Sequence, residues 1–175
     1  DRRVSETSVF QPAELMRRLN AGRVHFVVIG GLAAQAHGSP SATFDLDIVP
    51  SWDSANLVRL EHVLTEIAAV RSGLPEDAPP MPPLDARTLL AGAVFTLTSR
   101  LGRLDVLANP DPGLDFDRLM QSAEARELFG DHVHVASLDD LIAMKRAAGR
   151  PKDRVELEIL GALREEIDRG NASRR

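Results

Sequence analysis

The chain has 175 residues, 43% of them hydrophobic and 27% charged, with a formal net charge of -5 and no cysteine. That length suits one domain with a core of its own, and the missing cysteines exclude disulfides, thiolate nucleophiles and cysteine-type zinc sites, leaving carboxylate and imidazole as metal ligands. The negative charge argues against holding nucleic acid by overall electrostatic attraction, and the absence of a secretory pattern or an apolar run near the roughly 20 residues that span a bilayer predicts a soluble, cytoplasmic protein.

In chain order, Gln11 to Gly22 carries Leu15, Met16 and Leu19 at helical spacing. His25 to Ile29 is a short β-branched run stopped by Gly30-Gly31, which predicts a buried strand. Leu32 to His37 predicts a brief helix, followed by the loop Gly38-Ser39-Pro40-Ser41. Phe44 to Val49 alternates acidic and apolar residues, so Asp45 and Asp47 share one face of a strand while Leu46 and Ile48 enter the other.

Ala55 to Val70 has an amphipathic helical pattern, entered through Ser51 or Asp53 as cap, and Ser72 to Pro83 is a proline-dense excursion. Ala93 to Ser99 and Arg103 to Ala108 predict a hairpin about Arg100-Leu101-Gly102, with Asp105 inside its second arm. Phe116 to Leu128 is expected to be helical and His132 to Val135 a strand. Two helices close the chain, Leu138 to Ala148 and Val155 to Ile167, separated by Gly149-Arg150-Pro151. The expectation is a single domain over 1–175, with its core at about 24–136 and its C-terminal helices at about 137–168.

An aspartate inside a strand is disfavoured by propensity and costly if buried. Two of them a pleat apart, Asp45 and Asp47, form a seat for Mg²⁺, which prefers oxygen ligands and is usually shared with substrate phosphates. Asp105 is the third carboxylate, from a strand able to lie alongside. Gly30 and Gly31 stand between a strand and a helix start, where amides and glycine backbone admit phosphate. The simpler readings are a tight turn for the glycines, a half-exposed strand for Asp45 and Asp47, and a surface ion pair with Arg103 for Asp105. His132 and His134 share a strand face without a third ligand nearby, and His37 reads as a helix-end residue. Lys145, Arg146, Arg150, Lys152 and Arg154 crowd one stretch, either a local basic patch or a solvated helix end.

The order of strand, Gly-Gly, short helix, loop, Asp-Leu-Asp strand and later hairpin strand with one Asp resembles the nucleotidyltransferase superfamily that includes DNA polymerase beta. The likeness covers Phe26 to Val49, and Arg103 to Val106 more loosely. Asp139-Asp140-Leu141-Ile142-Ala143-Met144-Lys145, followed by Gly149-Arg150-Pro151-Lys152-Asp153-Arg154, is similar to the C-terminal motifs of AbiEii and MenT-like bacterial nucleotidyltransferase toxins.

This resemblance implies an α+β fold, a nucleotidyltransferase-type mixed β-sheet flanked by helices with a C-terminal helical extension. It implies an NTP donor and two Mg²⁺ ions on Asp45, Asp47 and Asp105, with an in-line displacement clamped by the ions. Gly30, Gly31, Thr43 and Lys145 would bind the nucleotide, and Lys145 and Asp153 would join the catalytic set. In relatives an arginine often stands at the position of Ser41, and a hydroxyl near Thr43 is a phosphorylation site in some toxins; phosphate there would disturb metal binding. The implied acceptor is RNA, such as a tRNA 3' end, with a cognate antitoxin as protein partner. The alternatives are an antibiotic- or protein-modifying nucleotidyltransferase, a silent binding module of the same fold, and a glycosyltransferase using Asp-x-Asp.

Overall fold

The computed structural model describes residues 9–75, 77–151 and 153–173. Lys152 of the basic stretch lies outside them. The chain runs α1 (Pro12–Ala21), β1 (Phe26–Ile29), α2 (Gly30–Ala36), β2 (Asp45–Pro50), α3 (Ser54–Glu66), β3 (Val70–Arg71), α4 (Ala86–Ala91), β4 (Val94–Ser99), β5 (Gly102–Leu107), α5 (Phe116–Met120), β6 (Glu124–Leu128), β7 (Asp131–Val135), α6 (Leu138–Ala148) and α7 (Asp153–Ala172). This is the expected α+β arrangement, a mixed sheet flanked by helices with a helical C-terminus. Among the described residues no helix is long and apolar enough to cross a membrane.

The strands form one sheet in the order β3-β4-β5-β2-β1-β7-β6. Central β2 runs antiparallel to β1 and parallel to β5, and β1 runs parallel to β7. Alternation decides which way each strand faces. On β2 and β5, Leu46, Ile48, Leu104 and Val106 are wholly buried, while Asp45, Asp47 and Asp105 take the opposite face. Each fully buried aliphatic chain contributes roughly 1.5–3 kcal/mol, so the apolar back of these strands offsets the cost of their acidic front. Leu15, Met16 and Leu19 of α1 and Leu57, Leu60 and Leu64 of α3 are buried in the same core. Asp53 caps α3 by accepting from Asn56 N at 2.8 Å.

Four expectations are corrected. The segment Phe116 to Leu128 is not one helix: α5 stops at Met120 and Glu124–Leu128 becomes the edge strand β6. Glu-Ala-Arg-Glu-Leu favours a helix locally, but Phe129 (φ 55) and Gly130 (φ 86) are both left-handed and turn the chain so that β6 pairs with β7 along its length. A hairpin turn of this hand and the ladder it closes override propensity. Helix α2 begins at Gly30 rather than Leu32, so the two glycines form its first turn. Helix α3 ends at Glu66, and Val70–Arg71 leaves it to pair with β4. Helix α7 extends beyond Val155 to Ile167 at both ends.

The six-residue helix α4, capped by Asp85, was not expected. The proline-dense excursion is anchored by Arg71, which donates to Pro82 O at 2.6 Å and lies 5.8 Å over the Phe95 ring.

Candidate active site

The parallel pairing of β2 with β5 sets Asp47 beside Asp105 and Asp45 beside Arg103. One carboxylate oxygen from each of Asp45, Asp47 and Asp105 lies within 4.8 Å of the others, and among the described residues no other group of three or more His, Asp or Glu side chains converges in this way. Mutual repulsion of that kind is relieved by a cation or by a retained proton. Burial pushes the Asp47 carboxyl up to about 7, assisted by the negative charges of Asp45 and Asp105. Burial also raises Asp105, with Asp45 adding to the effect. The Oδ1 atom of Asp105 is buried with no hydrogen-bond partner, an orphaned oxygen that a cation would satisfy. The donor set is all oxygen and anionic, so it fits a hard divalent cation such as Mg²⁺.

Close packing explains both glycines. Gly30 has φ 67 and ends up against Asp47: a Cβ there would lie 2.8 Å from the Asp47 Cγ and collide with its Oδ2. A Cβ on Gly31 would lie 2.5 Å from Thr43 Oγ1. Glycine thus lets the carboxylate and the hydroxyl press against the backbone of α2's first turn. Thr43 Oγ1 donates to Asp45 Oδ1 at 3.0 Å and so orients that carboxylate. Asp105 forms no such pair with Arg103, whose guanidinium acts on Asp47 and Asp105 only through space, lowering both slightly against the larger upward pull of burial.

Helices α6 and α7 supply the opposite wall. Gly149, left-handed at φ 59, terminates α6 and turns the chain so that the first residue of α7, Asp153, returns beside Lys145. Asp153 is 1% exposed. It accepts from Lys145 Nζ at 3.2 Å and from Arg150 Nε at 2.8 Å. The Arg150 guanidinium first, then Lys145, holds the Asp153 carboxyl down at about 2, and Asp153 in turn raises Arg150.

The two walls enclose a cleft of about 710 Å³. It is lined by the eight residues that the resemblance assigned to a site: Gly30, Gly31, Thr43, Asp45, Asp47, Asp105, Lys145 and Asp153. Three further charged residues line it, Arg103, Arg150 and Glu156. Arg103 is legible in the strand period, two residues before Asp105, whereas Arg150 and Glu156 enter only because the α6–α7 turn folds back. Glu156 accepts a 3.3 Å hydrogen bond from Ser39 Oγ, which ties the loop before Thr43 to α7. His132 and His134 are exposed on β7, outside the cleft. His37 caps the end of α2 and its Nε2 meets Ala136 O at 2.8 Å.

No family model and no curated protein sequence matches the chain. Solved structures do align with it. A Thermotoga maritima protein assigned by inference as a nucleotidyltransferase matches with a TM-score of 0.52 and 18% identity, over 89% of this chain and 89% of its own. The lincosamide antibiotic adenylyltransferase LnuA, in its lincomycin-bound form, matches with a TM-score of 0.55 and 15% identity, over 86% of this chain and 94% of its own. Similarity over nearly the whole chain at such low identity concerns backbone architecture, and on it we conclude that the chain has the nucleotidyltransferase fold.

Proposed function

We propose that the protein is a Mg²⁺-dependent nucleotidyltransferase that moves a nucleotide from an NTP to an acceptor hydroxyl. The observation that carries this reading is the convergence of Asp45, Asp47 and Asp105 oxygens within 4.8 Å in a cleft whose far wall presents Lys145. These three carboxylates would hold the divalent ions, which when bound supply positive charge to the triphosphate and favour ionisation of the acceptor hydroxyl. Thr43 keeps Asp45 aimed at that position, and Gly30 and Gly31 offer backbone to phosphate oxygens. Lys145 neutralises charge on the triphosphate and on departing pyrophosphate. Asp153 positions Lys145. Such a site works by alignment and electrostatics, with no covalent nucleophile.

The acceptor we favour is RNA, such as a tRNA 3' end, modified by a toxin that a cognate antitoxin restrains. Its support is the likeness of the segment Asp139 to Arg154 to nucleotidyltransferase toxins. A small hydroxylated molecule is the second reading. Lys145 and Arg150 are both paired with Asp153, and one structural neighbour is a lincosamide antibiotic adenylyltransferase. The test incubates wild type and Asp47→Asn with each labelled NTP and MgCl₂, offering total tRNA in one arm and lincomycin in the other. Label moving to tRNA in the wild type alone supports the first acceptor, and label on lincomycin the second. Equal labelling by both proteins would refute the proposed chemistry.

A further inference from the structure

Asp153 holds two cations with one carboxylate. Its Oδ2 accepts from Arg150 Nε at 2.8 Å and from the Arg150 backbone N at 3.3 Å; its Oδ1 accepts from Arg150 Nη2 at 3.3 Å and from Lys145 Nζ at 3.2 Å. Two of the four contacts come from the Arg150 guanidinium, in the forked geometry that suits a carboxylate, and a third from its backbone. Lys145 contributes one, from the tip of a flexible stem, to a carboxylate whose side chain is only 2% exposed.

A lysine that were the sole partner of so buried a carboxylate would be trapped, because withdrawing it would leave an uncompensated charge out of water. Lys145 faces two claims, since it also lines the cleft opposite the carboxylates of β2 and β5. With Arg150 in place, Asp153 remains paired when the ammonium departs. We propose that Arg150 is a positioning residue, the resident counter-ion of Asp153, whose presence releases Lys145 to bind a triphosphate. The inference rests on the nucleotidyltransferase reading above. It assigns Arg150 no contact with the nucleotide.

The probe is inorganic tripolyphosphate in MgCl₂, titrated calorimetrically into the full chain, which removes dependence on the unknown base. Arg150→Gln should bind about tenfold more weakly than wild type, the loss of roughly one charge-assisted interaction. Arg150→Gln combined with Asp153→Asn should return to within about threefold of wild type, because the neutral amide no longer holds Lys145. Arg150→Lys should fall between wild type and Arg150→Gln. Should Arg150→Gln fail to fold, Arg150→Lys with and without Asp153→Asn carries the same comparison. Unchanged binding by the Arg150 variants overturns the proposal. So does a double variant as weak as Arg150→Gln, the result expected if Arg150 touched phosphate directly. Wild type that binds no tripolyphosphate would instead overturn the triphosphate reading of the cleft, and the role of Arg150 with it.

Discussion

Replacing Asp47 by Asn should make the metal-free protein more stable at alkaline pH. The Asp47 carboxyl is held at about 7 in the folded chain against an ordinary value of 3.8, chiefly by burial and secondarily by Asp45 and Asp105. At ~1.4 kcal/mol for each unit, ionising it within the fold costs on the order of 4 kcal/mol. Between roughly pH 4 and 7 the folded state holds more protons than the unfolded chain, so stability falls as pH rises through that window and levels off above it. Asp105, also raised, contributes in the same sense. Asp153, held at about 2, acts oppositely, its contribution being lost only as pH falls below about 4 toward 2.

In EDTA, then, wild type should lose stability from pH 5 to about pH 7 and level off toward pH 8. Asp47→Asn should lose much less and stand up to ~4 kcal/mol higher at pH 8, or roughly 8–16 °C in Tm for a chain of this size. Urea unfolding at pH 5, 6.5 and 8 measures both profiles. Millimolar MgCl₂ should raise wild type more than the variant, since an ion bound to the carboxylates stabilises only the folded state. Parallel profiles, or a variant less stable than wild type at pH 8 in EDTA, would refute the account of Asp47 as a carboxylate strained by burial and by its neighbours.

Other substitutions probe the same site from its supports. Gly30→Ala places a left-handed alanine against the Asp47 carboxylate; it should cost ~1–2 kcal/mol of stability from backbone conformation alone and weaken Mn²⁺ binding, followed by electron paramagnetic resonance, by more than tenfold. Thr43→Val removes the hydroxyl that orients Asp45 and should weaken Mn²⁺ by about tenfold, whereas Thr43→Ser should retain near wild-type affinity. Leu46→Ala empties a fully buried position on the strand face behind Asp45 and Asp47 and should lower unfolding free energy in urea by about 2–5 kcal/mol.

Structure carried by local pattern was legible in the sequence. Alternation at Phe44 to Val49 placed Asp45 and Asp47 on one face, because a strand's side chains must alternate whatever surrounds it. The β-branched run before Gly30-Gly31 marked β1 for a similar reason. The helices α6 and α7 were visible in their period and in Gly149, which suits a left-handed helix end. What the sequence could not decide was every relation across the chain. The residues of β6 prefer a helix when taken alone, and only pairing with β7 makes them a strand. Gly30 reads as a turn or a phosphate seat, and only the packing of Asp47 against it shows the carboxylate it accommodates. That Asp105 stands beside Asp47 depends on the parallel register of strands nearly sixty residues apart, and Glu156 meets Ser39 across a separation of 117 residues. Pattern and propensity act over a few neighbouring residues, whereas the cleft depends on hydrogen-bond register and core packing that the chain satisfies only as a whole.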